Sequence, residues 1–202
     1  GVDYMSVTYG AGGTAVGKSV ALVSEIERCG VPALAHLTCV GADEGKIEGV
    51  LDQLKDAHVE NVLALRGDLP QGQDHPLGDY AHASDLVKKI KSYGDFCVGG
   101  ATYPEGHPEA AGLDEDLEHT KMKVEAGCDF LVTQMFFDNS MFYNFMYRLL
   151  AKGIQVPVVA GIMPVTNLKQ IEKIFTLSGT PVPAPLRAMA ERFADHPAAL
   201  KQ

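Results

Sequence analysis

Short apolar runs alternate along this chain with longer segments whose apolar positions recur every three or four residues. The clearest short run is Val62-Leu63-Ala64-Leu65, followed at once by Arg66, Gly67 and Asp68. A continuous apolar run closed by turn residues reads as a strand buried on both faces, as in parallel sheets covered by helices. The same pattern predicts strands over Tyr4–Tyr9, Pro32–Val40, Asn61–Asp68, Cys97–Tyr103, Asp129–Phe137 and Pro157–Val165. Helical spacing fills the intervals. Ala15–Cys29 turns Val20, Leu22, Val23 and Ile26 to one side, and Gly30 closes it. Asp43 is placed to cap a helix whose inward face is Ile47, Val50, Leu51 and Leu54. Ala83–Tyr93 presents Leu86, Val87 and Ile90, and further helices are predicted over Asp114–Ala126, Asn139–Lys152 and Asn167–Leu177. A proline-rich linker, Pro181–Pro185, precedes a last helix over Leu186–Ala194.

Strict alternation of strand and helix implies a parallel sheet with right-handed crossovers. An open doubly wound sheet and a (β/α)8 barrel both satisfy it. In an open sheet only the strands at the switch point carry ligand residues. Here nearly every predicted strand ends in polar or special residues: Thr8, His36 with Thr38, Arg66 with Asp68, Tyr103, Gln134 and Pro164. A ring of such ends points to the barrel, whose chemistry sits at the carboxyl ends of its strands. The chain opens on Gly1 and enters a strand almost at once, so it reads as a single barrel domain over 1–202 with six β-α units, its first and last strands lying outside.

Composition narrows the functional classes. The 202 residues are 46% hydrophobic and 21% charged, with a formal net charge of -9. That balance disfavours binding to nucleic acid or to anionic membranes, which calls for basic surfaces. No apolar run reaches the roughly 18 residues of a membrane span. Cys29, Cys39, Cys97 and Cys128 are far apart and form no C-x-x-C pair, the pattern of reduced, mostly buried thiols in a cytoplasmic protein without a metal site.

One motif points elsewhere. Gly12-Gly13-Thr14-Ala15-Val16-Gly17-Lys18-Ser19 matches G-x-x-x-x-G-K-[ST] between a predicted strand and helix, the setting of a phosphate-binding loop. In a nucleoside triphosphatase its amides would cradle phosphates, Lys18 would reach the last of them and Ser19 would bind magnesium. That reading leaves Thr8, His36, Tyr103, His107 and Gln134 without work, and it stands as the alternative.

The strand ends taken together resemble the methylenetetrahydrofolate reductase family, a group of flavin-dependent (β/α)8 barrels. The resemblance spans essentially the whole chain. It rests on Ser6-Val7-Thr8-Tyr9-Gly10-Ala11, His36-Leu37-Thr38-Cys39 and Leu63-Ala64-Leu65-Arg66-Gly67-Asp68. It continues through Tyr103-Pro104-Glu105-Gly106-His107-Pro108-Glu109-Ala110, Thr133-Gln134-Met135-Phe136-Phe137-Asp138 and Pro164-Val165-Thr166-Asn167. By position, the resemblance implies that Tyr9, His36, Arg66, Gly67, Asp68, Ala83, Tyr103, His107, Ala110, Asp116, His119, Met122 and Lys123 contact flavin adenine dinucleotide. Some members carry Asn in place of His119 and Arg in place of Met122, so the contacts at the far end of the dinucleotide differ here, and FMN stands as the alternative to FAD. Thr8 falls where NADH or NADPH approaches. Gln134 and Gln170 fall at folate-binding positions, with Gln134 also where the nicotinamide stacks. The family's glutamate proton donor belongs to a strand upstream of Gly1. The resemblance further implies a cytoplasmic homo-oligomer of one-carbon metabolism and methionine synthesis.

The chemistry of these residue types agrees with the roles implied. A flavin takes hydride from a nicotinamide and passes it to an electrophilic carbon. Opening the methylene bridge of 5,10-methylenetetrahydrofolate to an iminium cation makes that carbon electrophilic, with proton delivery from a general acid. An anionic Asp68 favours the cation, which makes it the catalytic candidate within the chain. Arg66 and Lys123 suit phosphate or ribityl oxygens, and the amides of Gln134 and Gln170 suit the donor and acceptor edge of a pterin. The implied product is 5-methyltetrahydrofolate, formed by ping-pong turnover.

Overall fold

The protein is described by a computed structural model that covers residues 1–8, 16–69, 72, 78–178, 180–194 and 196. Its strands are β1 (Met5–Val7), β2 (Ala33–Thr38), β3 (Asn61–Leu65), β4 (Cys97–Thr102), β5 (Phe130–Thr133) and β6 (Val158–Val159). Its helices are α1 (Val16–Arg28), α2 (Glu44–Asp56), α3 (Ala83–Tyr93), α4 (Leu113–Glu125), α5 (Asn139–Ala151), α6 (Leu168–Ser178) and α7 (Ala184–Arg192). The strands follow one another through the sheet in chain order, and the pairs from β1 to β4 are parallel. Parallel neighbours in chain order, each reached through a helix, are part of a (β/α)8 barrel, the fold class that the alternation predicts. The chain divides into two compact units, Gly1–Ala101 with His119–Leu131, and Thr102–Glu118 with Val132–Gln202.

The first unit shows why the alternation works. Side chains alternate across a strand. Ala33, Ala35, Leu37 and Cys39, with Val62 and Ala64 of β3 and Val98 of β4, therefore form one continuous apolar face. Against it lie Val23 of α1, Ile47, Val50, Leu51 and Leu54 of α2, and Leu86, Val87 and Ile90 of α3. Each large aliphatic side chain removed from water in this way contributes about 1.5–3 kcal/mol. Leu34, His36 and Thr38 occupy the other face of β2, where His36 and Thr38 are only half-buried. Leu22 departs from expectation and is 53% exposed. Val20, Val23 and Ile26 are three residues apart and share the inward stripe, whereas Leu22 stands about 100° from Val23 around the helix.

In the second unit the Gln134 N–H donates to the Thr102 carbonyl at 2.8 Å, tying the exit of β5 to the exit of β4. Phe145 and Leu149 of α5, Ile171 and Ile174 of α6 and Ala190 of α7 are buried, and α6 packs on α7. Phe136 stacks on Phe142 with ring centroids 4.7 Å apart. The predicted strand Pro157–Val165 contracts to Val158–Val159. Beyond it the Gly161 N–H is taken by the Thr133 hydroxyl instead of a ladder carbonyl, and Pro164 has no N–H to give. The predicted strand Asp129–Phe137 similarly contracts to Phe130–Thr133; the Gln134 N–H still reaches the Thr102 carbonyl, but the Met135 N–H is taken by the Gln134 side chain.

Of the cysteines, Cys39 and Cys128 are buried, Cys97 is half-buried and Cys29 is exposed, so the expectation of mostly buried thiols fails at Cys29. Burial pushes the Cys39 thiol up to about 11 and that of Cys128 up to about 12. Among the described residues no helix is long and apolar enough to cross a membrane.

Asp43 caps α2 as its sequence position predicts, its carboxylate accepting from the Lys46 N–H at 2.8 Å. Asp43→Ala should lower the unfolding free energy by about 1 kcal/mol, read as a shift of the urea midpoint at unchanged slope.

Candidate functional site

In the first unit the strand exits converge by register. Val7 pairs with Ala35, which sets Thr8 beside His36 one step further along. Thr38 pairs with Leu65, and the ladder continues past both strands through Cys39 N–H to the Leu65 carbonyl and Val40 N–H to the Arg66 carbonyl. Arg66, Gly67 and Asp68 thus leave β3 at the edge where β1 and β2 also end. Arg66 is half-buried, with Nε donating to the Gly67 carbonyl at 3.1 Å, and Asp68 is exposed.

Gly67 has φ +89°, and a Cβ there would lie 2.7 Å from Val40 Cγ1 and 3.2 Å from Thr38 Cβ. Both the left-handed backbone and the close approach of β2 require glycine. The sequence suggested close approach of backbone or ligand at Gly67, and the structure shows the protein's own chain there.

The face of β2 opposite the helices carries His36, whose pKa burial lowers from 6.5. The neutral imidazole is thereby the favoured form, with one nitrogen to donate and one to accept. The Cys39 thiol contacts the carbonyls of Arg66 and His82, both at 3.8 Å, and so links the β2 and β3 exits to the start of α3. Ala83 is the first residue of that helix and is half-buried. Further along, the Lys123 Nζ donates to the Ala101 carbonyl at 2.5 Å, while His119 and Met122 lie on the exposed side of α4. The structure therefore does not turn His119 and Met122 inward with Lys123.

The second unit carries the remaining candidates. After β4 the chain turns sharply, with the Gly106 N–H closing onto the Tyr103 carbonyl at 3.1 Å. The turn brings Tyr103 and His107 edge to face, their centroids 4.6 Å apart and their planes at 81°. His107 Nδ1 accepts from the Glu109 N–H at 3.1 Å, which in the neutral ring places the proton on Nε2. Ala110 is half-buried, its N–H donating to the His107 carbonyl. Asp116 is buried in the first turn of α4.

Gln134 is half-buried just past β5, its side-chain oxygen accepting from the Met135 N–H at 2.9 Å. Gln170 sits in the first turn of α6. Its oxygen accepts from the N–H and hydroxyl of Thr166 at 2.7 and 2.9 Å, and its N–H donates to Asn167 Oδ1 at 3.0 Å. These bonds also cap the helix, a role that residue type alone did not separate from ligand binding.

Glu105 was not singled out from the sequence, although it lies inside the distinctive turn. Burial first, and then the charge of Asp138, raise its pKa above the usual 4.5. Asp138 caps α5 through the N–H and hydroxyl of Ser140, which lower its own pKa.

Tyr9, Gly12, Gly13, Thr14 and Ala15 lie outside the described residues. Of the phosphate-loop motif, Lys18 is exposed, and Ser19 Oγ donates to the Thr8 carbonyl at 3.2 Å. That bond joins β1 to α1 and gives Ser19 a structural role where the triphosphatase reading needs a metal ligand. Among the described residues no three His, Cys, Asp or Glu side chains gather to hold a metal.

His36 yields a prediction with a definite sign. Its folded pKa is below the unfolded value, so its contribution to stability is full above about 6.5 and is lost as pH falls through the folded pKa. The ring protons should titrate below 6.5 by NMR. Stability measured by urea should decline from about pH 7 to pH 5, with a shallower slope in His36→Asn.

The methylenetetrahydrofolate reductase family model matches residues 1–202. The 5,10-methylenetetrahydrofolate reductase of Pectobacterium carotovorum subsp. carotovorum is 37% identical over 195 residues, covering 96% of this chain and 64% of its own. Methylenetetrahydrofolate reductase (NADH) 1 of Arabidopsis thaliana is 39% identical over 217 residues, covering all of this chain and 36% of its own. The chain thus spans about two thirds of the bacterial relative's length and about one third of the plant relative's. Among solved structures, a Clostridium thermocellum protein that binds two copies of 5-methyl-5,6,7,8-tetrahydrofolic acid superposes with a TM-score of 0.54 at 15% identity, covering 98% of this chain and 78% of its own. At that identity the likeness is one of fold.

Proposed function

Because the chain belongs to the methylenetetrahydrofolate reductase family, we propose that it carries the greater part of a flavin-dependent site that reduces 5,10-methylenetetrahydrofolate to 5-methyltetrahydrofolate with NADH or NADPH. The observation that carries the reading is the convergence of Thr8, His36 and Arg66–Asp68 at one edge of the first unit's parallel strands. In the second unit the Tyr103–His107 pair and Gln134 follow the same rule at the exits of β4 and β5.

The donor set fits FAD, with FMN as the smaller alternative. A dinucleotide asks for cations at its diphosphate, neutral hydrogen-bonding groups at its ring edge and flat or small groups beside its rings. Arg66 and Lys123 are the cations, with Asp116 suited to hydroxyl groups of the ribityl or ribose. His36 is a neutral donor and acceptor, the Tyr103–His107 pair offers ring edges, and Ala83 and Ala110 present no bulk, while Gly67, closed against Thr38 and Val40, would offer only its backbone. When bound, a flavin supplies a two-electron relay between nicotinamide and folate.

The chain's own residues do the rest. Arg66 Nε is held by the Gly67 carbonyl, so its guanidinium is oriented before any ligand arrives. Asp68, exposed at the rim, would favour the positive charge that develops on the folate carbon. Gln134 and Gln170 address the pterin edge through their amides. A nicotinamide stacking on the same Gln134 would exclude the folate, so the two substrates would take turns. His119 and Met122, on the exposed side of α4, suit the far end of the cofactor.

Visible spectroscopy of the full-length protein tests this reading. Flavin bands should bleach under anaerobic NADH or NADPH and return when methylenetetrahydrofolate is added. A colourless protein that takes up neither added FAD nor FMN would contradict it.

A further inference from the structure

Two backbone segments of the second unit meet closely at the exit of β5. The Gly161 N–H donates to Thr133 Oγ1 at 2.8 Å. Thr133 is 5% exposed, so the hydroxyl is withdrawn from water and this bond is difficult to replace. A Cβ on Gly161 would lie 2.3 Å from the Thr133 carbonyl oxygen and 3.2 Å from both the Gln134 carbonyl carbon and the Met135 nitrogen. Real Cβ atoms do not approach backbone so closely, so Gly161 lies directly against the peptide that carries Gln134. From a third segment, the Thr102 carbonyl accepts the Gln134 N–H at 2.8 Å. The Gln134 side-chain oxygen is in turn held by the Met135 N–H, so the amide offers its NH2 end.

We propose that Thr133 and Gly161 are positioning residues for Gln134, fixing the point from which its amide reads the pterin ring of the folate substrate; the inference rests on the reading of function above. Recognition of a flat polar ring by one amide tolerates a displacement of only about 0.5 Å. The backbone beneath Gln134 has no regular ladder on the β6 side, since β6 ends at Val159. The threonine hydroxyl and the bare glycine together replace it. Valine at 133 keeps nearly the same shape and removes the acceptor, whereas serine keeps the acceptor and removes a methyl group.

The test uses full-length holoenzyme carrying Thr133→Val, Thr133→Ser or Gly161→Ala. Steady-state kinetics, bound flavin, thermal midpoint and the amide exchange rate of Gly161 are measured on each. Thr133→Val and Gly161→Ala should raise the KM for methylenetetrahydrofolate about tenfold, the upper range for one neutral hydrogen bond, with flavin content unchanged. Thr133→Ser should stay within about twofold of wild type, and Gly161 exchange should accelerate in Thr133→Val. Should Gly161→Ala fail to fold, the valine and serine pair decides alone. A wild-type KM in Thr133→Val, equal impairment in Thr133→Ser, or loss confined to flavin content and thermal midpoint would overturn the proposal. Failure of the wild-type protein to reduce the folate would overturn the functional reading, and this proposal with it.

Discussion

A parallel strand can be reached from its predecessor only by a crossover, and here each crossover is a helix that must bury its apolar stripe. The pairing of β2 with β3, from Leu34 opposite Asn61 to Thr38 opposite Leu65, combines both demands. It commits Ala35, Leu37, Val62 and Ala64 to the face sealed by α2 and α3. It also brings the exits of both strands to the same edge, so Arg66, Gly67 and Asp68 emerge beside Cys39 and Val40. A register slip of one residue would send His36 into the apolar face and Leu37 out of it. Burying the helices and placing the rim are therefore one event.

At that rim, backbone geometry matters as much as side-chain chemistry. Gly67 turns the chain with φ +89° against Val40 and Thr38, so Arg66 and Asp68 leave β3 in a set direction. Gly161 plays a comparable part against Thr133 in the second unit. Side chains then take over bonds that the ladder no longer supplies: Ser19 to the Thr8 carbonyl, Thr133 to Gly161, and Gln134 to Met135. Each of these side chains gives up freedom that a surface residue would keep.

Much of this was legible in the sequence because it depends on period and burial. Ile47, Val50, Leu51 and Leu54 are inward as their spacing predicts, Ala83–Tyr93 has the predicted bounds, and Asp43 caps its helix. Motif order along the chain pointed to the family that the whole-chain match establishes. What was not legible is what depends on neighbours distant in sequence. The shortening of β6 follows from Thr133, 28 residues away from Gly161. The raised pKa of Glu105 follows from its burial and from Asp138, and neither is visible in the local run. Leu22 failed because a single residue's rotation separates an inward from an outward position. The phosphate-loop alternative finds no support, since the motif's spacing says nothing of where the Ser19 hydroxyl goes, and it goes to the Thr8 carbonyl.

In the proposed function Asp68 favours the positive charge that develops on the folate carbon, a charge that arises in only one of the two half-reactions. Rapid-mixing kinetics of the two half-reactions in full-length Asp68→Asn separates the two. Bleaching by NADH or NADPH should stay within about threefold of wild type, while recovery on methylenetetrahydrofolate should slow by about a hundredfold, the scale of a lost transition-state charge partner. Unchanged recovery, or equal loss in both halves with flavin content intact, would contradict this role of Asp68.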